Sequence, residues 1–253
     1  MPTPSTIAID RLTVRYPGGT TAVDGVSVEI DAGEFVALVG RSGSGKSTLL
    51  KSINRLVEPS EGRVLLGGRP VADESAPALR RRIGYVFQGV GLFPHMTVAE
   101  NIAIPLRLTG RTDPARIADL LDLVDLPQEV GARMPAALSG GQRQRVGVAR
   151  ALAAEATLLL MDEPFGALDP MTRDALGQAV RALHDRLGLT TLMVTHDLAE
   201  ALLLASRVLV MKDGRLVADE TPAALIAGAG GAEAQALVDV PRRQIRTLDG
   251  LIA

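Results

Sequence analysis

The stretch that most constrains this chain is Phe35-Val36-Ala37-Leu38-Val39, followed at once by Gly40-Arg41-Ser42-Gly43-Ser44-Gly45-Lys46-Ser47-Thr48. Five apolar residues in a row describe a strand covered on both faces. Residues 47–56, behind the glycines, read as a helix. A strand, a loop of G-x-x-x-x-G-K-S spacing and a helix, in that order, build a phosphate cradle. Glycines let backbone N–H groups turn inward around phosphate oxygens, and the helix adds the positive end of its dipole. Lys46 reaches the β- and γ-phosphates as a point charge, and the Ser47 hydroxyl can ligate Mg2+. Gly40, Arg41, Ser42, Gly43, Ser44, Gly45, Lys46, Ser47 and Thr48 are therefore candidate nucleotide-binding residues.

The rest of the chain alternates between strand-like and helix-like patterns. Residues 7–16 and 23–30 alternate apolar and polar side chains across short turns, which predicts an added antiparallel sheet. Apolar runs at 83–87, 157–161 and 191–195, separated by helical patterns, predict an α/β domain with a mostly parallel core sheet. Between residues 89 and 150 the texture becomes helical, at 97–108, 114–123 and 142–154. This reads as an inserted helical subdomain, with Pro105 expected to end or kink its first helix. Residues 174–187 and 198–204 are further helices. Lys212-Asp213-Gly214 reads as a hairpin turn between strands. Residues 222–227 read as a helix, and the glycines of 228–231 as a flexible joint. One domain is expected over 1–240, with a short tail at 241–253.

Composition removes several classes. At 253 residues, 47% hydrophobic and 22% charged, the chain can bury a sizeable core and is not globally disordered. The formal charge of −2 leaves no electrostatic footprint for nucleic acid. With no Cys, disulfides, thiolate metal sites and Cys nucleophiles are excluded, and three His leave little room for an all-His zinc site. No run approaches the ~18 apolar residues of a spanning helix. The N-terminus lacks the basic start and apolar stretch of a signal peptide. A soluble, cytoplasmic chain is expected, with any membrane role coming through a partner.

A second acidic element completes the site. Leu158-Leu159-Leu160-Met161 ends in Asp162-Glu163, so a buried strand delivers two carboxylates at the edge where open α/β sheets bind ligands. Asp162 is the natural Mg2+ partner. Glu163 points to the other side of the chain and can polarise a water aimed at the γ-phosphate. Leu138-Ser139-Gly140-Gly141-Gln142 then precedes a helix carrying Arg143, Arg145 and Arg150. This is a second anion-receptive helix start. One triphosphate needs one cradle per chain, so two cradles suggest a site assembled from two chains.

With that motif the sequence resembles the ATP-binding subunits of ABC transporters, over about residues 5–227. The resemblance implies a P-loop NTPase fold, ATP and Mg2+ as ligands, and a head-to-tail homodimer sandwiching two nucleotides. It implies that Ser139, Gly140, Gly141 and Gln142 of one copy meet the phosphates held by the other. Tyr16 matches the aromatic that stacks on adenine, the alternative being a plain strand tyrosine. Gln88 matches the glutamine that contacts Mg2+ and the attacking water. Ala167-Leu168-Asp169 matches a loop crossing the dimer interface, the alternative for Asp169 being a simple helix cap. His196 matches the switch histidine that hydrogen-bonds the γ-phosphate. Glu163, His196, Gln88 and Lys46 are then the catalytic set, with Ser47, Gln88 and Asp162 around the metal.

His184, in a polar helix, is expected to be a solvated surface residue. Arg80-Arg81-Arg82 and Arg242, Arg243 and Arg246 are read as solvated helix faces. Gly91-Leu92-Phe93-Pro94-His95-Met96-Thr97 matches the family's groove for a coupling helix of the membrane permease, or else packs locally. The wording of residues 52–62 and 91–102, and Val240-Pro241-Arg242-Arg243-Gln244, is similar to the ATPases of glycine betaine/choline/carnitine importers. The expected function is thus ATP hydrolysis coupled to osmoprotectant uptake at the cytoplasmic face of the membrane, with permease subunits and, indirectly, a solute-binding protein. The absence of a fused membrane segment favours an importer over a fused exporter. An end at Ala253 leaves no room for the regulatory domain many osmoprotectant ATPases carry. A polar amino acid or methionine importer is the leading alternative. DNA-repair ATPases would need a long coiled coil where residues 89–135 stand, and translation factors usually hold two ATPase units. Small P-loop kinases and GTPases lack the 138–142 motif.

Overall fold

In the computed structural model the described residues are 5–166 and 168–252, with side chains described through residue 243. Ala167 of the expected interface loop and the Arg246 side chain lie outside them. Strands β1 (Ile7–Arg15) and β2 (Thr21–Ile30) lead into β3 (Phe35–Val39), the glycine loop and helix α1 (Lys46–Ile53). Then follow β4 (Glu61–Leu66), β5 (Arg69–Pro70), α2 (Ala76–Arg81) and β6 (Ile83–Val86). Helices α3 (Val98–Leu108), α4 (Pro114–Leu123) and α5 (Gly140–Leu152) form the helical stretch. Next come β7 (Leu158–Asp162), α6 (Pro170–Leu187), β8 (Thr190–Thr195) and α7 (Leu198–Leu204). The chain continues through β9 (Arg207–Lys212), β10 (Arg215–Glu220), α8 (Pro222–Ala227) and α9 (Gly231–Ile252).

Two sheets form. The smaller has the order β2-β1-β4-β5 and is antiparallel. The larger runs β10-β9-β3-β8-β7-β6, parallel except for the β9–β10 hairpin at its edge. That hairpin turns on Asp213 at φ 47° and Gly214 at φ 81°, the double positive φ of a tight two-residue turn. The apolar runs behave as doubly covered strands should. Along β3, Phe35, Ala37 and Val39 join one core cluster, while Val36 and Leu38 join the other. Along β7, Leu159 and Met161 face the first, and Leu158 and Leu160 the second. The first cluster lies against α3–α7. The second is closed by α1 and the antiparallel sheet.

Some expectations change. Pro105 does not end its helix: α3 passes through it and ends three residues later, after a Thr97–Glu100 capping box has fixed its start. The glycines at 228–231 are followed by a further helix, α9, which runs without a break across residues 240 and 241 with Pro241 inside it. His184 is the clearest correction. It is 3% exposed, its Nδ1 lies 2.9 Å from Thr191 Oγ1, and its ring packs on Phe35. Val180 lies one turn before it and Leu183 beside it, so His184 is on the buried face of α6. Burial, with Arg181 nearby, holds its imidazole pKa below the usual value.

Candidate active site

The cradle is built as its glycines require. A Cβ on Gly40 would stand 2.2 Å from the Met211 carbonyl oxygen, and one on Gly45 would stand 2.0 Å from that of Ala22. Both glycines have positive φ, 155° and 105°. Any larger residue would therefore clash with backbone as well as strain its own. Lys46 curls back over the loop. Its Nζ donates to Gly40 O at 2.8 Å and to Arg41 O at 2.9 Å. Burial lowers the ammonium pKa, opposed by the nearby carboxylates of Glu163 and Asp162. Phosphate oxygens entering the loop would replace these carbonyl acceptors with charged ones. Tyr16 is 41% exposed at the end of β1, with its hydroxyl 3.2 Å from Thr48 Oγ1. The adenine-stacking candidate thus sits beside the cradle with its ring partly open.

Alternation along β7 decides where its carboxylates go. Asp162 shares the parity of Leu158 and Leu160, which face α1. Ser47 Oγ donates to Asp162 Oδ1 at 2.7 Å. Lys51, one turn further along α1, brings its Nζ to 3.6 Å from Oδ2. Tyr85 has the same parity, since it pairs with Leu160, and its hydroxyl is 3.5 Å from Oδ2. Burial and the Asp162 charge raise the Tyr85 pKa, so the phenol stays a donor. A hydroxyl and one carboxylate form an oxygen-only set that suits Mg2+, which is held by one or two carboxylates plus phosphates and waters. Ser47 and Asp162 fit that ion; Lys51 and Tyr85 are neighbours that motif matching misses. Lys51 lies four residues after Ser47 and so on the same helix face.

Glu163 leaves the strand. At φ 46° it adopts a left-handed conformation unusual for a non-glycine residue, anchored by its N–H donating to Val194 O at 2.9 Å. Its Oε2 accepts from Gln88 Nε2 at 3.2 Å and lies 3.3 Å from His196 Nδ1. The three side chains share a pocket of about 400 Å³ with Gly140, Arg143 and Leu168. Three expected catalytic residues from three separate strand ends therefore converge. The loop after Gln88 is fixed from behind by buried Arg150, which donates to Val90 O and Gly91 O at 2.6 and 2.7 Å. Arg150, on the helix that the Ser139 motif starts, thus holds backbone.

The remaining candidates stand elsewhere. Ser139 caps α5, accepting from Gln142 N at 3.2 Å, while the Gln142 amide oxygen accepts from Ser139 N at 3.0 Å. Gly141 abuts Thr172, where a Cβ would come within 2.4 Å of Cγ2. Asp169 caps α6 through Thr172 N at 3.0 Å, and hydrogen bonding to the Thr172 side chain and backbone lowers its carboxyl pKa. Among the described residues no hydrogen bond joins Ser139, Gln142 or Asp169 to Lys46, Ser47 or Asp162.

Beside the Gln88 loop opens a larger apolar cleft of about 590 Å³, with Tyr85, Phe87, Phe93, Pro105 and Leu108 on its walls. Phe87, Phe93 and Leu108 are 43%, 45% and 64% exposed. The expected docking stretch thus contributes Phe93 to an open apolar wall, while Leu92 packs against the core.

The profile of the family described as ABC transporter matches residues 23–166. The chain is 49% identical over 219 residues to the carnitine transport ATP-binding protein OpuCA of Listeria monocytogenes, covering 85% of this chain and 55% of that protein. It is 47% identical over 222 residues to the sulfate/thiosulfate import ATP-binding protein CysA of Caulobacter vibrioides, covering 85% and 63%. The chain thus spans little more than half the length of the curated relatives it matches first. Among solved structures, the dimeric ATP-binding cassette MJ0796, bound to ADP and Pi in a post-hydrolysis state, matches with a TM-score of 0.78 and 34% identity. That match covers 85% of this chain and 98% of the other. The chain belongs to the ABC transporter family and has the fold of its ATP-binding cassettes.

Proposed function

We propose that this chain is the ATP-hydrolysing subunit of an importer, working as a head-to-tail pair on the cytoplasmic face of a membrane. The observation that carries the reading is the pairing of Ser47 with Asp162 at 2.7 Å beneath the Lys46 loop, with Glu163, Gln88 and His196 converging on the adjoining pocket. Lys46 and the loop N–H groups bind the phosphates. Ser47, Asp162 and the Gln88 amide oxygen hold Mg2+, which when bound supplies charge neutralisation on the β- and γ-phosphates. Glu163 takes a proton from the attacking water, and Gln88 and His196 orient that water and the γ-phosphate. Tyr16 stacks on the base. Ser139, Gly140, Gly141 and Gln142 of the second copy close over the phosphates, and Asp169 lies at the same seam. The dimeric state of the MJ0796 cassette supports this arrangement. ATP binds the closed pair better than the open one, so hydrolysis reopens it.

The cleft beside Phe93 suits a short amphipathic helix from a permease subunit, since its walls are apolar and open. For the solute, the carnitine, choline and glycine betaine transport proteins among the relatives favour a quaternary ammonium osmoprotectant. The 47% identity to a sulfate/thiosulfate import protein makes an oxyanion the second reading. The purified chain should hydrolyse ATP only with Mg2+ and lose ATP binding in Lys46→Ala. Light scattering should show a dimer with Mg-ATP. A strictly monomeric protein with saturating Mg-ATP and hydrolysis blocked would overturn the scheme. Uptake of labelled glycine betaine against labelled sulfate, in cells expressing the chain with its genomic neighbours, separates the two solutes.

A further inference from the structure

Behind the Glu163 pocket, one guanidinium ties two loops together. Arg173 lies on the first turn of α6. Its Nη2 donates to Leu168 O at 3.1 Å, and its Nη1 donates to Asp197 Oδ2 at 3.2 Å. Its Nε is shielded from solvent and stands 3.6 Å from Glu200 Oε1, just beyond hydrogen-bond length. Leu168 precedes the Asp169 cap, and Asp197 follows His196. The side chain therefore spans from the segment entering α6 to the turn that carries the pocket histidine.

The residues on either side of that histidine are both hydrogen-bonded. Thr195 Oγ1 donates to Glu200 Oε2 at 2.6 Å and accepts from Asp197 N at 3.0 Å. Asp197 Oδ1 caps α7 through Ala199 N at 2.8 Å. Between these anchors His196 is 59% exposed and reaches Glu163 at 3.3 Å. A planar fork that donates to acceptors in two segments sets orientation as well as distance. A lysine, with its single nitrogen, cannot reproduce that span.

We infer that Arg173 is a positioning residue that sets the angle between the 168–169 segment and the His196 turn, and so holds His196 at Glu163. The inference rests on the ATPase reading for its kinetic consequence, though not for its geometry. If the 168–169 segment meets the second copy at the dimer seam, Arg173 also passes the arrival of that copy to His196.

The test uses Arg173→Gln and Arg173→Lys in the full chain. Steady-state kinetics should show kcat down by roughly 10- to 100-fold, the scale of a small misplacement at a reacting centre. KM for ATP should stay near wild type, because the Lys46 loop is untouched. The chain has three His, so a carbon–proton spectrum of the imidazoles resolves each ring. In the nucleotide-free variants the His196 signal should move or broaden while those of His95 and His184 hold. Asp197→Asn, which keeps the Oδ1 cap, should reproduce the effect in weaker form. An unmoved His196 signal with kcat retained overturns the inference. So does a kcat loss in which all three signals shift together, the mark of general loosening. If Arg173→Gln does not fold, Arg173→Lys carries the same readout. If the wild type hydrolyses no ATP, the functional reading fails, yet the His196 signal still decides the role of Arg173.

Discussion

Replacing Glu163 with Gln removes a proton acceptor and leaves its surroundings in place. Glu163 Oε2 stands 3.2 Å from Gln88 Nε2 and 3.3 Å from His196 Nδ1, and an amide oxygen still serves one of these donors. The backbone N–H keeps its bond to Val194 O. ATP binding, carried by the Lys46 loop, is expected to survive, and the ATP-bound pair to accumulate. What disappears is the proposed general base, a kind of group that typically contributes about 10²- to 10⁴-fold. In barrier terms that is about 3 to 5 kcal/mol. The backbone supplies a control. At φ 46° any non-glycine residue here carries about 1–2 kcal/mol of strain. Glu163→Gln should therefore melt like wild type, and Glu163→Gly should be more stable than Glu163→Ala by about 1 kcal/mol while remaining inactive. Phosphate release, fluorescent-nucleotide binding and calorimetry read the three quantities. Turnover of Glu163→Gln within about tenfold of wild type would refute the base assignment. Loss of nucleotide affinity would instead make the carboxylate a ligand.

Three further outcomes are expected. Gly45→Ala, which drives a Cβ to 2.0 Å from Ala22 O at φ 105°, should cost about 1–3 kcal/mol of stability and abolish ATP binding, read by melting and titration. His184 is held neutral in the fold, its pKa depressed by burial from 6.5. The unfolded chain binds the proton first, so the His184 contribution is intact above about pH 6.5 and lost as pH falls through the lower folded value, at up to about 1.4 kcal/mol per pH unit. Melts of His184→Gln over the same range should lose stability less steeply than wild type. Phe93→Asp, on the open wall of the cleft, should leave stability within about 1 kcal/mol of wild type and abolish co-purification with membrane subunits. Retained co-purification would remove the cleft as the docking site.

Much of the architecture is legible in residue order. Phe35–Val39 and the run ending at Asp162 announce doubly covered strands because no polar residue interrupts them. The loop from Gly40 to Ser47 announces its own contents, since the strand, the glycine spacing and the helix that build the cradle are contiguous in sequence. His184 reads as solvated for a local reason: its neighbours Asp185 and Arg186 are charged, while its 3.6-residue partners Val180 and Leu176 are core. Counting the helical period would have found it. Arg150 and Arg173 gave no such signal. Their partners are carbonyls and carboxylates 5 to 60 positions away, and a charged residue on a helix reads the same whether it meets water or backbone.

Sequence alone determined the kinds of element, the phosphate loop and the candidate base and metal carboxylate, because these depend on side chains a few residues apart. Tertiary structure alone decided which of them meet. Pairing β3 between β8 and β9, and β7 beside β6, fixes the parity that turns Asp162 toward Ser47 and Tyr85 toward Asp162, and brings Gln88, Glu163 and His196 to one sheet edge. A strand's alternation says that two faces exist; only its neighbours determine which face holds the nucleotide loop.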